Sequence, residues 1–167
     1  MPDTAEYLAR IRGLAPSDDP LQAQRRSPEI VAGLIAGATL KQLTDPPAQA
    51  KWSIGEILAH LAEDEIATAW RYRQMVEQDG VALAGFNQDL WARLGDYRSR
   101  APQDSLALFR LLRIANLSFL QQLSPEQWQS CGIHAERGRI TVRDLAAHMA
   151  GHDANHVEQI RRILGAA

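Results

Sequence analysis

Five histidines occur in the 167 residues, and three of them, His148, His152 and His156, fall within nine positions of one another. Imidazole is a common metal ligand, and it is the side chain that ordinarily titrates near neutral pH. Residues four apart on a helix stack on one face, so His152 and His156 can offer two nitrogens to one ion. At about 100° per residue, Val142, Leu145, Ala146, Met149, Ile160, Ile163 and Leu164 form one apolar stripe. His156 falls inside this stripe, His152 on its border and Asp153 on it, while His148 lies farther out on the flank. A second stripe contains Ile54, Ile57, Leu58, Leu61, Tyr72, Met75 and Val76. His60 sits on its flank, with Asp64 one turn on and Arg71 further along. The offset of His60 is like that of His148, so the wheel permits His60 in a shared site without demanding it. One inward imidazole from one helix and an i, i+4 pair from another would leave a tetrahedral ion with an open position. A single core-facing His is more often a satisfied core residue; the pair, and a third on another helix, favour a metal.

The letters weigh against other chemistries. His152-Asp153-Ala154-Asn155-His156 has zincin spacing, but Asp stands where the general-base Glu belongs. The two Glu-x-x-His pairs of a di-iron carboxylate bundle are absent, as are a Gly-rich phosphate loop and a G-x-S-x-G elbow. Cys131 lies near His134, yet no helix N-terminus clearly activates it. Arg113 lies near the inward side of its helix, beside Phe109, Leu117 and Leu120. A buried guanidinium needs an anion, so Arg113 is either in an ion pair with Asp153 or Asp64, or a contact for a substrate carboxylate. Arg137, Arg139 and Arg143 read as solvated charges. No catalytic residue is assigned; Asp64 and Asp153 are the candidates to stand behind the metal ligands, with Asp64 able to orient His60 or accept a proton.

Helices must hold these residues, because strand-like alternation is nearly absent. The expected domain is single, 1–167, with a partly irregular N-terminal segment over 1–26 that includes a short amphipathic piece at 4–12. Ser27-Pro28-Glu29 reads as N-cap, first helical residue and first-turn acid of a helix to about Ala36. Ser53 and Glu56 form a capping box that opens a helix to Gln78, stopped by Asp79-Gly80. Residues 80–102 read as a long connection with a helical turn near 88–94. Pro102 and Asp104 start a helix to about Leu123, Ser124 to Gln127 form a capped turn, and 132–139 read as a loop. Thr141 and Asp144 cap a last helix to Leu164. Four main helices and one long connection predict an all-α, antiparallel four-helix bundle.

Composition narrows the function. Hydrophobic residues are 46% and charged residues 23%, values of an ordinary globular chain rather than a disordered one. A net charge of −2 lacks the basic footprint of a nucleic-acid binder. No apolar run is long enough for a membrane span, the first residues lack a signal-peptide core, and Cys131 is the only cysteine. A cytoplasmic protein without nucleic-acid or membrane partners is expected, with a homodimer as the default assembly.

Lys51-Trp52-Ser53-Ile54, then Glu56 to Leu61 with His60, and later Gly138-Arg139-Ile140-Thr141-Val142 leading to His152-Asp153-Ala154-Asn155-His156-Val157-Glu158-Gln159-Ile160, resemble the DinB-like superfamily. That group includes the YfiT-like proteins, thought to be metal-dependent hydrolases, and bacillithiol- and mycothiol-linked proteins. The resemblance runs from about Ser27 to Leu164. It implies a four-helix bundle holding a divalent ion, zinc or nickel, on His60, His152 and His156. It is the resemblance that prefers His60 over His148; His148 and His134 match recurrent family positions without being assigned as ligands. It also implies a small-molecule substrate and a metal-dependent enzyme of the thiol S-transferase or hydrolase type, with a low-molecular-weight thiol as candidate co-substrate. The alternatives are a non-catalytic bundle with a structural or vestigial metal site, and a helical interaction module without metal.

Overall fold

A computed structural model describes residues 4–15 and 19–165. Among the described residues there are seven α-helices: α1 (Thr4–Leu14), α2 (Pro20–Ile35), α3 (Leu40–Thr44), α4 (Ile54–Glu77), α5 (Gln88–Leu94), α6 (Pro102–Gln121) and α7 (Val142–Leu164). Three short strands, β1 (Val81–Leu83), β2 (Cys131–His134) and β3 (Gly138–Thr141), form a sheet in the order β1-β2-β3. The four-helix bundle with one long connection is therefore the architecture found, built from α2, α4, α6 and α7. No described helix is long and apolar enough to cross a membrane.

The helix starts follow local chemistry. Ser53 with Glu56 and Thr141 with Asp144 make reciprocal capping boxes at α4 and α7, each satisfying backbone N–H groups that lack a partner inside the helix. Gly165, at φ 67°, ends α7 in the left-handed conformation that glycine adopts without steric cost.

Contacts along the helices give their directions. Glu65 meets Arg113 and Asn116, and Gly55 meets Pro102, so α4 and α6 run parallel. Gln24 bonds the carbonyl of Ala146 while Val31 and Ile35 pack with Val157 and Ile160, so α2 and α7 also run parallel. The α4–α7 and α2–α6 pairs are antiparallel: His60 faces His152 and Thr68 faces Met149, while Glu29 pairs with Arg110 and Gln24 with Arg113. Parallel neighbours require the chain to return along the whole bundle. This is what the long connection between α4 and α6 does, carrying β1 and α5 on the way.

Two apolar clusters fill the ends of the bundle. One gathers Ile54, Ile57, Leu58, Phe109, Val157 and Ile160; the other gathers Tyr72, Met75, Leu120, Val142 and Leu145. Each fully buried aliphatic or aromatic side chain stabilises the fold by about 1.5–3 kcal/mol. Between them lies a layer of buried polar groups: His60, Asp64, Glu65, Arg113, Asn116, His152, Asp153 and His156. A polar layer at mid-height works against burial energetics unless every member is paired.

Two expectations are corrected. The helix read as starting at Ser27 begins at Pro20, capped by the Asp19 side chain, and passes through Pro28. Proline lacks the N–H that would bond the carbonyl four residues back. The orphaned carbonyl of Gln24 instead accepts Nη1 of Arg113 at 2.7 Å, so a tertiary contact stands in for the missing helical bond. The loop read at 132–139 is a hairpin, turning at residues 135–137 with Gly138 at φ 68°, and β1 adds to it in parallel. Strands of three or four residues are too short to write an alternating pattern. The small helix α3, capped by Thr39 and Gln42, also lay outside the sequence reading.

Candidate metal centre

The capping boxes set the phases of α4 and α7, and those phases bring His60, His152 and His156 together. Their Nε2 atoms converge: His60 to His152 is 3.1 Å, and His156 to His152 is 3.2 Å. All three rings are buried, and the Trp52 ring packs 4.9 Å from that of His60. These three form a group of ligand atoms close enough to share one ion.

Protonation follows from the surroundings. Burial, then the His148 and Arg113 charges, pulls His152 down to about 3. Burial, then His152, pulls His156 down to about 3, and His60 lies well below its ordinary value for the same first reason. The imidazoles are therefore neutral, the form that ligates metal. Nδ1 of His156 lies 3.0 Å from Oε1 of Gln159, which accepts its proton and leaves a lone pair on Nε2. Nδ1 of His152 has no hydrogen-bond partner among the described residues; Oδ2 of Asp64 lies 3.7 Å away. Lone pairs at about 3 Å repel unless a cation lies among them, and three ligands of a tetrahedral zinc ion, at about 2.0–2.1 Å each, stand about 3.3 Å apart. The donor set fits such an ion.

A cavity of ≈ 200 Å³ opens beside His60 and His152, with Asp64 in its wall. Burial, then Glu65, raises the Asp64 carboxyl to about 7. Helix α1 covers part of the cavity with Tyr7 and Leu8. It lies close because Gly151 has no side chain: a Cβ there would stand 2.1 Å from the Ile11 carbonyl oxygen. A larger cleft of ≈ 590 Å³ shares Tyr7 and reaches the cluster's neighbour Gln159.

Several residues sit where the sequence did not put them. Asp64 faces His152 rather than His60. Asp153 points away from the imidazoles and binds Arg113 through both carboxylate oxygens. Arg113, offered as a contact for a substrate carboxylate, is 1% exposed, also binds Glu65, and lines neither cavity. The other reading given for it, the ion pair with Asp153, is the geometry present. His134 and His148, not assigned as ligands from the sequence, both line the smaller cavity, as do Arg71 and Arg137. Burial, then Arg137, takes His148 down to about 3. Arg137 is half-buried, not solvated, because the hairpin turn folds back over the bundle. Its only local signal was the glycine that follows it. Glu65 and Asn116, which complete the Arg113 network, carried no distinguishing pattern.

Comparison with known proteins adds a family and a fold. The family model of the DinB superfamily matches residues 21–160. A Geobacillus thermodenitrificans protein named "Putative metal-dependent hydrolase" is 25% identical over 160 residues, covering 95% of this chain and 82% of that protein. The solved structure of YfiT from Bacillus subtilis, described as a probable metal-dependent hydrolase with an unusual four-helix bundle topology, superposes with a TM-score of 0.79. It is 21% identical, and the match covers 90% of this chain and 88% of YfiT. A mycothiol-dependent maleylpyruvate isomerase superposes with a TM-score of 0.65 at 14% identity, covering 91% of this chain and 62% of that one. At these identities the structures share the fold.

Proposed function

The chain belongs to the DinB superfamily, and from that premise we propose that it is a metal-dependent enzyme whose ion is held by His60, His152 and His156. The observation that carries this is the convergence of three buried, neutral imidazoles, with Nε2 of His152 lying 3.1 Å from that of His60 and 3.2 Å from that of His156. Three imidazoles suit zinc or nickel. When bound, such an ion supplies Lewis acidity, enough to ionise a water or a thiol near neutral pH.

The chain's own residues do the rest. Gln159 holds the tautomer of His156 that keeps its Nε2 lone pair inward. Asp64 sits in the cavity wall where it can hold or take a proton. Trp52 packs against the His60 ring, and Tyr7 lines the cavity beside it. The reaction type is thiol S-transfer or hydrolysis on a small molecule in the cytoplasm. A low-molecular-weight thiol is of a size for the ≈ 590 Å³ cleft, and a mycothiol-dependent isomerase shares the fold.

Metal analysis of natively purified protein and of His152→Ala tests the site: about one divalent ion per chain is expected in the parent and a large loss in the variant. Unchanged metal content in the variant would sink the assignment. Incubation with bacillithiol, mycothiol or glutathione and a model electrophile tests the chemistry. Metal-dependent conjugate formation supports thiol transfer, whereas metal-dependent hydrolysis without thiol supports the hydrolase reading.

A further inference from the structure

The cavity beside the imidazoles holds more positive charge than the imidazoles account for. Arg71 reaches it from α4 and Arg137 from the hairpin turn, and both line the same ≈ 200 Å³ as His60 and His152. Several other arginines of this protein are ion-paired. Arg113 is bound by Asp153 and Glu65, Arg110 by Glu29 at 2.8 Å, Arg100 by Glu63 at 2.8 Å, and Arg98 by Glu56 at 3.1 Å. Neither Arg71 nor Arg137 has an ion pair among the described residues. Arg71 donates Nη2 to the Ala84 carbonyl at 2.8 Å and lies 5.5 Å over the Phe86 ring, which fixes its plane and leaves other N–H groups uncommitted.

Two half-buried guanidinium groups facing one small space repel each other. Burial, and then the Arg71 charge, hold Arg137 below its ordinary pKa. The carboxylates nearby relieve this only in part: Asp64 raises Arg71 and Asp144 raises Arg137, yet burial leaves each guanidinium below its ordinary pKa. Asp64 is pushed up to about 7 and lies toward His152, and Glu136 is exposed at the rim. His134 and His148 add no negative charge. An arrangement of this kind is stabilised by an anion from outside.

We infer that Arg71 and Arg137 form a subsite for the carboxylate of a small organic acid, seated beside the three-imidazole cluster. Guanidinium groups pair with carboxylates through parallel N–H···O bonds, giving orientation as well as affinity. The cavity sets the size. At about 30 Å³ per water-sized group it holds about six or seven such groups, which is a carboxylate with a short carbon chain. The reacting carbon or heteroatom of that chain then lies toward His60 and His152. This names the substrate class for the metal-enzyme reading and rests on that reading only for the subsite's purpose; anion binding itself needs no metal.

Calorimetric titration of the chelator-treated full chain with succinate, with inorganic phosphate as a parallel arm, tests the inference. Succinate should bind, and Arg71→Gln or Arg137→Gln should weaken it at least about ten-fold, the size of a lost charge-assisted pair. Arg139→Gln, exposed on the same hairpin, should leave it unchanged. Lysine variants at 71 and 137, which keep charge but lose the fork, should weaken it several-fold and serve if the Gln variants misfold. The inference is overturned if succinate does not bind at millimolar concentration, if both variants bind it as the parent does, or if phosphate binds more tightly through the same two arginines. Metal content measured on the same samples separates the two claims. Succinate binding in a protein that never takes metal fails the metal reading alone, and a metal-loaded protein indifferent to succinate fails the subsite alone.

Discussion

Two buried polar clusters stand side by side on the same helices, one residue apart in sequence, and they close their charge differently. Asp64 and His152 belong to one, Glu65 and Asp153 to the other. In the second, one guanidinium meets two carboxylates, the Gln24 carbonyl and the Phe109 ring, while Asn116 covers the remaining oxygen of Glu65. Almost every polar atom there has a partner from the chain, Nε of Arg113 being the exception. In the first, three imidazole nitrogens converge and Nδ1 of His152 is left unpartnered. A cluster that satisfies itself holds helices in register; one that does not is built for something the chain does not supply. Equal burial therefore does not mean equal role: one cluster pairs a guanidinium with two carboxylates, and the other gathers three imidazoles around a shared point.

The largest expected effect lies in the self-satisfied cluster. Arg113→Met leaves Glu65 and Asp153 buried without a counter-charge and should cost about 3–5 kcal/mol, read by urea denaturation. Replacing Arg113, Glu65 and Asp153 together with apolar residues should recover most of that loss. If the single variant were nearly neutral, the contrast between the clusters would break.

His152→Ala should behave in the opposite way. Metal affinity should fall by more than the roughly 10–100-fold typical of losing an outer partner, while the chelator-treated variant unfolds close to its parent. A stability loss as large as that of Arg113→Met would make the imidazoles structural instead.

Acid and base should also distinguish the regions. Burial holds His152 and His156 near 3, below their unfolded value of 6.5, so their contribution is full above about pH 6.5 and is lost as pH falls toward 3. Asp64 runs the other way. Its folded value of about 7 lies above the ordinary 3.8, so its contribution is full below about pH 4 and is lost as pH rises through 7. In chelator-treated protein, Asp64→Asn should therefore exceed the parent in stability at about pH 8 and lose that advantage by about pH 4. Equal urea midpoints at both pH values would remove Asp64 from this account.

The smallest effect concerns access. Gly151→Ala places a Cβ against the Ile11 carbonyl and should cost about 1–3 kcal/mol by displacing α1. Because α1 lines the histidine cavity and supplies no partner to Arg113, exchange of bound metal with a chelator should quicken while the Arg113 network stays closed. Hydrogen exchange around Arg113 that rose equally would show the two regions to be one unit.

The sequence by itself determined the elements with strong local physics. Ser53–Glu56 and Thr141–Asp144 announced α4 and α7 because capping is satisfied within four residues. The 3.6-residue period then put His152 and His156 on one face, and the resemblance singled out His60. What depended on partners far along the chain was not legible. Pro28 reads locally as a helix start, and only Arg113, 85 positions on, lets the helix run through it. The hairpin is too short to show its alternation, yet it carries His134 and Arg137 to the cavity. The choice between Asp64 and Asp153 as neighbour of the imidazoles, and between ion pair and substrate contact for Arg113, was decided by the packing of parallel and antiparallel helices. Helix phase and capping are local interactions; the pairing of buried charges is settled only when three helices meet.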